Sequence, residues 1–169
     1  MAKKDSSRRS RKLTPQENLA DPVRARSKLV DISLFACSAT HSIENRSSLP
    51  KIMSFEVNNR TTHDDVSQDG KQIGGRLVAN LTFKIEARYT ADDPKPALKV
   101  SATYRLLYSV TPGKVFTERQ LQSFVAFEAM QYAWPYAGEF IATTTNRMGL
   151  PSVRMPIYKK QGIAITVNV

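Results

Sequence analysis

The chain has 169 residues, 41% of them hydrophobic, and a formal charge of +10, which suits one domain with a sizeable core and raises acidic proteins, nucleic acid and anionic surfaces as partners. No apolar run approaches the length of a membrane span, no apolar h-region follows the first basic residues, and the single Cys37 cannot staple a fold. Membrane insertion, secretion and a disulfide scaffold are therefore disfavoured, and the expected location is cytoplasmic.

Residues 1–28 hold nine basic side chains against three acidic ones, +6 of the total charge, with few apolar residues between them. Such a segment buries too little to offset its own ordering entropy. The expected organisation is a disordered basic tail over residues 1–27, then a single domain over residues 28–169. The tail reads as a solubilising leader or as a charge-based contact.

From Ser27 to Thr40, Val30, Ile32, Leu34 and Ala36 alternate with Leu29, Phe35 and Cys37, a period-two pattern that is apolar on both sides. A strand covered at least partly on each face is expected, with Cys37 a buried, unreactive thiol. A Ser-rich loop follows, then a short strand carrying Met53, Phe55 and Val57. The polar stretch from Asn58 to Lys71 reads as a long turn, and its His63-Asp64-Asp65 as solvated loop residues, because three ligands on one loop lack the distributed spacing of a closed metal site.

The clearest strand has Leu77, Ala79, Leu81, Phe83, Ile85, Ala87 and Tyr89 on one face and Arg76, Asn80, Thr82, Lys84, Glu86 and Arg88 on the other. After a turn at Asp92-Asp93-Pro94, a second strand carries Leu98, Val100, Ala102, Tyr104, Leu106, Tyr108 and Val110 on one side. The short connection makes it the antiparallel neighbour.

Thr117 followed by Gln120 is a capping box, and Phe116 with Leu121 a hydrophobic staple. Gly149 and Pro151 mark the helix end near Met148. Pro135 denies the helix an amide, so a kink, or two helices meeting at Trp134, is expected. Beyond Pro156, alternating β-branched residues through Val169 read as a strand-like tail. The fold class is α+β: a four-stranded antiparallel sheet packed with a long kinked C-terminal helix. That helix carries Leu121, Phe124, Val125, Phe127, Met130, Tyr132 and Trp134, more apolar surface than one sheet face can cover, so self-association is expected.

Nothing in the sequence supports an enzyme. It has two histidines, no phosphate-cradling glycine loop between strand and helix, no nucleophile elbow and no Cys/His cluster. No catalytic residue, cofactor or metal is expected.

Trp134-Pro135-Tyr136-Ala137 with Glu139, then Asn146-Arg147-Met148-Gly149-Leu150-Pro151 and Val153, Met155 and Pro156, resemble the SecB family of protein-export chaperones. Upstream, Lys28-Leu29-Val30-Asp31-Ile32-Ser33-Leu34 is similar to that family's first strand. The likeness covers roughly residues 26–157 and describes a divergent member. It implies a homotetramer whose grooves hold unfolded precursor proteins, or a dedicated client such as a toxin–antitoxin protein.

On that resemblance the client-binding residues are Leu49, Ile52, Phe55, Leu121, Phe124 and Phe127, and the oligomer interface includes Met130, Trp134 and Tyr136. Docking to the export motor SecA is not carried over, because Phe35 stands where the family has an acidic residue and the domain is basic. The competing expectation is a nucleic-acid-binding α+β module using the basic tail. It is disfavoured because the alternation puts Phe83, Tyr89, Tyr104 and Tyr108 on apolar faces, away from stacking partners.

Overall fold

The computed structural model describes residues 15–44, 50–69, 71–158 and 165–168. The two strongest alternating segments form the centre of the sheet as β3 (Lys71–Arg88) and β4 (Leu98–Val110). They run antiparallel with Leu81 opposite Tyr104 and Phe83 opposite Ala102, so both apolar rows lie on one face. β1 (Ser27–His41) pairs with β4, and β2 (Ile52–Gln68) with β3, both antiparallel. Two short strands complete the sheet. β5 (Gly113–Lys114) pairs with the start of β3, and β6 (Ile165–Asn168) pairs with β2, giving the order β1-β4-β3-β2-β6.

The apolar face is covered by α2 (Glu118–Phe124), a π turn (Val125–Ala129) and α3 (Met130–Arg147). Tyr108 meets Phe124 edge-on at 5.1 Å and Phe83 meets Trp134 at 5.9 Å. Each such fully buried side chain contributes on the order of 1.5–3 kcal/mol of apolar burial. The capping box is present: the Gln120 amide donates to Thr117 Oγ1 at 3.3 Å, and the Thr117 amide to Gln120 Oε1 at 2.9 Å. At the far end Gly149 adopts φ 75°. Its amide donates to Asn146 and that of Leu150 to Thr145, which closes the helix as a Schellman motif.

The interruption expected at Trp134 falls upstream instead, at the π turn. α3 continues through Pro135, and the carbonyl that its missing N–H would have satisfied belongs to Gln131, an exposed residue that water can reach.

Four other expectations are corrected. The tail does not extend to residue 27, because α1 (Pro15–Arg24) is helical and its Ala20 and Val23 are fully buried. Their spacing puts both on one helical face, and Arg24 reaches Glu128 at 2.5 Å. Residues 1–14 lie outside the described residues. The stretch from Asn58 to Lys71 is no long turn: β2 and β3 pair from Ile52↔Arg88 to Gln68↔Lys71, turning at Asp69, whose φ is 50°. From Asn58 to Asp64 every side chain except that of Thr61 is exposed, and backbone pairing there needs no apolar alternation. His63 and Asp64 accordingly sit on a strand.

β1 is not covered on both faces. It is an edge strand with register shifts after Leu29 and Leu34 that leave Val30 and Phe35 unpaired as bulges, and both are more than half exposed. Cys37 is exposed, not buried. Among the described residues no helix is long and apolar enough to cross a membrane, and no group of three or more His, Cys, Asp or Glu could hold a metal ion.

Candidate polypeptide-binding surfaces

After α3 the chain turns back and lies along the helix as a strap over residues 150–158. Leu150 and Val153 are buried against Ile85, Leu98 and Ile141. Three polar contacts fix its path. Thr145 Oγ1, fully buried, donates to Ile141 O at 3.0 Å and accepts from the Val153 amide at 3.1 Å. Trp134 Nε1 donates to Pro156 O at 3.2 Å, and the Tyr158 hydroxyl to Ala126 O at 2.9 Å. Burial, reinforced by the Glu128 carboxylate, pushes the Tyr158 phenol up to about 12. The phenol therefore stays protonated, and a donor, at neutral pH.

Between the strap and the sheet lies a largely apolar, partly open cavity of about 120 Å³ lined by Met53, Ser54, Phe55, Ile85, Val153, Arg154 and Pro156. Phe55 forms its inner wall, edge-on to Trp134 at 5.3 Å. The volume suits about one aliphatic side chain, and the lining offers almost nothing but carbon. A second groove of about 490 Å³ lies farther along the same sheet face, between Asn59, Thr61 and His63 of β2 and Phe116, Leu121 and Gln122 at the start of α2. It exists because the core-side positions of β2 turn polar after Val57. A third, of about 250 Å³, runs beside α3 between Tyr104, Tyr136, Glu139 and Phe140. Tyr104 donates to the Tyr136 carbonyl at 2.9 Å there.

The six expected client-site residues do not share one groove. Leu49 lies outside the described residues. Ile52 opposes Arg88 and so faces the other side of the sheet from Phe55, which opposes Ile85. Phe55 lines the cavity and Leu121 the second groove, but Leu121 at 3% and Phe124 at 2% exposure are core residues, and Phe127 is buried too. The first half of the helix is occupied by the sheet that it packs on, so its apolar surplus is smaller than the residue count suggested.

The three expected interface residues are placed differently within the protomer. Met130 and Trp134 are buried within the protomer, whereas Tyr136 is half exposed. The residues missed by sequence reasoning are Met53, Ile85 and the strap residues Val153 and Pro156. Their alternation was visible, but nothing local showed that the strap folds back over β2. Exposed apolar side chains include Tyr132 and Tyr136 on α3, Val30, Leu34 and Phe35 on β1, and Ile157 on the strap.

The opposite sheet face is polar. Glu86 sits at its centre with Lys84 at 2.9 Å, Arg88 at 3.0 Å and Lys99 at 3.9 Å. The hydrogen bond from Lys84 holds its carboxyl below the usual carboxylate value. Thr82 and Thr103 bond across the central strands at 2.9 Å, and the Arg105 guanidinium lies 3.8 Å from the centre of the Phe35 ring.

The chain, with its four long antiparallel strands and one sheet face under a helix that enters after β5, has a SecB-like fold. Among solved structures the chain is similar to the SecB-like chaperone Rv1957 of Mycobacterium tuberculosis, in complex with a ChAD peptide from the Rv1956 HigA1 antitoxin. The two superpose with a TM-score of 0.63 at 16% identity, over 86% of this chain and 100% of that one. A protein of unknown function from Streptococcus agalactiae matches at a TM-score of 0.44 and 12% identity, over 78% of this chain and 97% of that one. No family model matches the sequence, and no curated protein does.

Proposed function

We propose that this protein is a non-enzymatic molecular chaperone that holds a polypeptide client in an unfolded, extended form, for export or for hand-over to a dedicated partner, and that it works as a homo-oligomer in the cytoplasm. The observation that carries the reading is the SecB-like fold, shared with a chaperone whose solved complex contains an antitoxin peptide. The largely apolar cavity beside β2 supports it, because loose recognition of extended clients needs apolar side-chain sockets next to backbone that can pair. Oligomerisation is supported by β1, a 15-residue edge strand that exposes Val30, Leu34 and Phe35. Long apolar edges of this kind are normally paired or covered. Four copies, a dimer of dimers, is the assembly that we infer.

The test is dilution of a chemically denatured protein into buffer with and without the chaperone, followed by light scattering. The expected outcome is suppressed aggregation at near-stoichiometric chaperone without any nucleotide. Unchanged scattering at a severalfold excess contradicts the reading.

A further inference from the structure

β6 is hydrogen-bonded antiparallel to the outer edge of β2, with Ile52 opposite Asn168, Met53 opposite Val167, Ser54 opposite Thr166 and Phe55 opposite Ile165. Three of those four β2 positions line the cavity under the strap: Met53 and Phe55 with their apolar side chains, and Ser54 between them. The chain's own C-terminal strand thus occupies the backbone edge that adjoins the socket. An extended client that adds to a sheet needs the same unpaired N–H and C=O groups, so β6 and such a client exclude each other at Ile52–Phe55.

The strand is also built to be displaceable. It pairs on one side only, at the end of the order β1-β4-β3-β2-β6, and it is four residues long, shorter than the commonest strand length of about five or six. By register Ile165 and Val167 fall opposite Phe55 and Met53, the alternation that an extended apolar client would itself present.

We propose that β6 is an internal stand-in for the client: it closes the β2 edge in the free protein and is displaced when an extended apolar polypeptide binds there. This rests on the chaperone reading. A binding-competent state that is only partly populated weakens the apparent affinity by its fraction. If the edge is open roughly 10–30% of the time, removing β6 tightens binding by about threefold to tenfold.

The experiment titrates a fluorescently labelled, reduced and carboxymethylated unfolded protein against three forms: the intact chain, the chain ending at Tyr158, and a lockable variant. The last carries Ser54→Cys and Thr166→Cys in a Cys37→Ser background, because opposed residues of antiparallel strands lie within disulfide reach. The truncated chain is expected to bind at least threefold more tightly than the intact one. The oxidised variant is expected to bind at least tenfold more weakly than the same protein after reduction. Equal or weaker binding by the truncated chain, with its circular dichroism unchanged, overturns the proposal, as does equal binding by the oxidised and reduced variant. Absence of binding in every form overturns the chaperone reading itself, and the strand's role with it.

Discussion

Buried polar atoms decide most at the scale of single residues. The Tyr108 hydroxyl has no hydrogen-bond partner among the described residues, and burial pushes its phenol up, out of the range of ordinary titration. Its ring packs on Phe124, so the ring contributes to the core while the hydroxyl is desolvated without return. Tyr108→Phe should therefore leave stability unchanged or raise it by up to about 1 kcal/mol in urea denaturation. A loss of more than about 1 kcal/mol contradicts this.

Glu86 behaves oppositely. Its hydrogen bond from Lys84, with Arg88 and Lys99 adding to it, depresses the folded-state value below the usual 4.5. Its contribution is complete above that usual value and is lost as pH falls through the depressed one. The stability gap between the protein and its Glu86→Gln variant should be fully open at neutral pH and narrow progressively as the pH falls below 4.5. A gap independent of pH would show that the carboxylate charge is not what matters.

At the scale of elements, α1 carries a consequence that composition hid. Ala20 and Val23 are fully buried, and Arg24 binds both Asp21 and Glu128 at 2.5 Å. Deleting residues 1–24 should cost about 2 kcal/mol or more, lowering the melting temperature by roughly 4–8 °C. An unchanged melting temperature would mean that α1 does not dock.

What the sequence showed depended on whether a signal was local. The Thr117 capping box, the Gly149 exit and the paired rows of β3 and β4 were legible because cap chemistry and period-two burial are written in adjacent residues. The second half of β2 was not, since Asn58–Asp64 form a ladder with both faces wet and leave no alternation. Nor was the π turn, which has no sequence punctuation of its own. The candidate site was half legible: Phe55 was found, but Val153 and Pro156 reach it only through the strap, a long-range contact set by Thr145 and Trp134. Counting apolar helix residues also misplaced Leu121, Phe124, Met130 and Trp134, because one sheet face plus the strap and α1 absorbs them.

For the whole molecule, the lone protomer leaves the β1 edge and part of α3 exposed, whereas β6 occupies part of the β2 edge. On the proposed function, the β1 edge and the α3 face bearing Tyr132 and Tyr136 would take a second copy, and the β2 edge and its cavity a client. These are separate faces, so assembly and client binding should respond to different substitutions. Leu34→Lys places a charge on the exposed β1 edge, and this should dissociate the oligomer while the protomer stays folded.

The most direct measurement is mass in solution by size-exclusion chromatography with multi-angle light scattering, alone and with an equimolar unfolded protein. The account predicts an oligomer, four chains in our reading, that co-elutes with the unfolded protein at a correspondingly greater mass. A single chain that elutes unchanged in the presence of the unfolded protein would contradict both the assembly and the chaperone function.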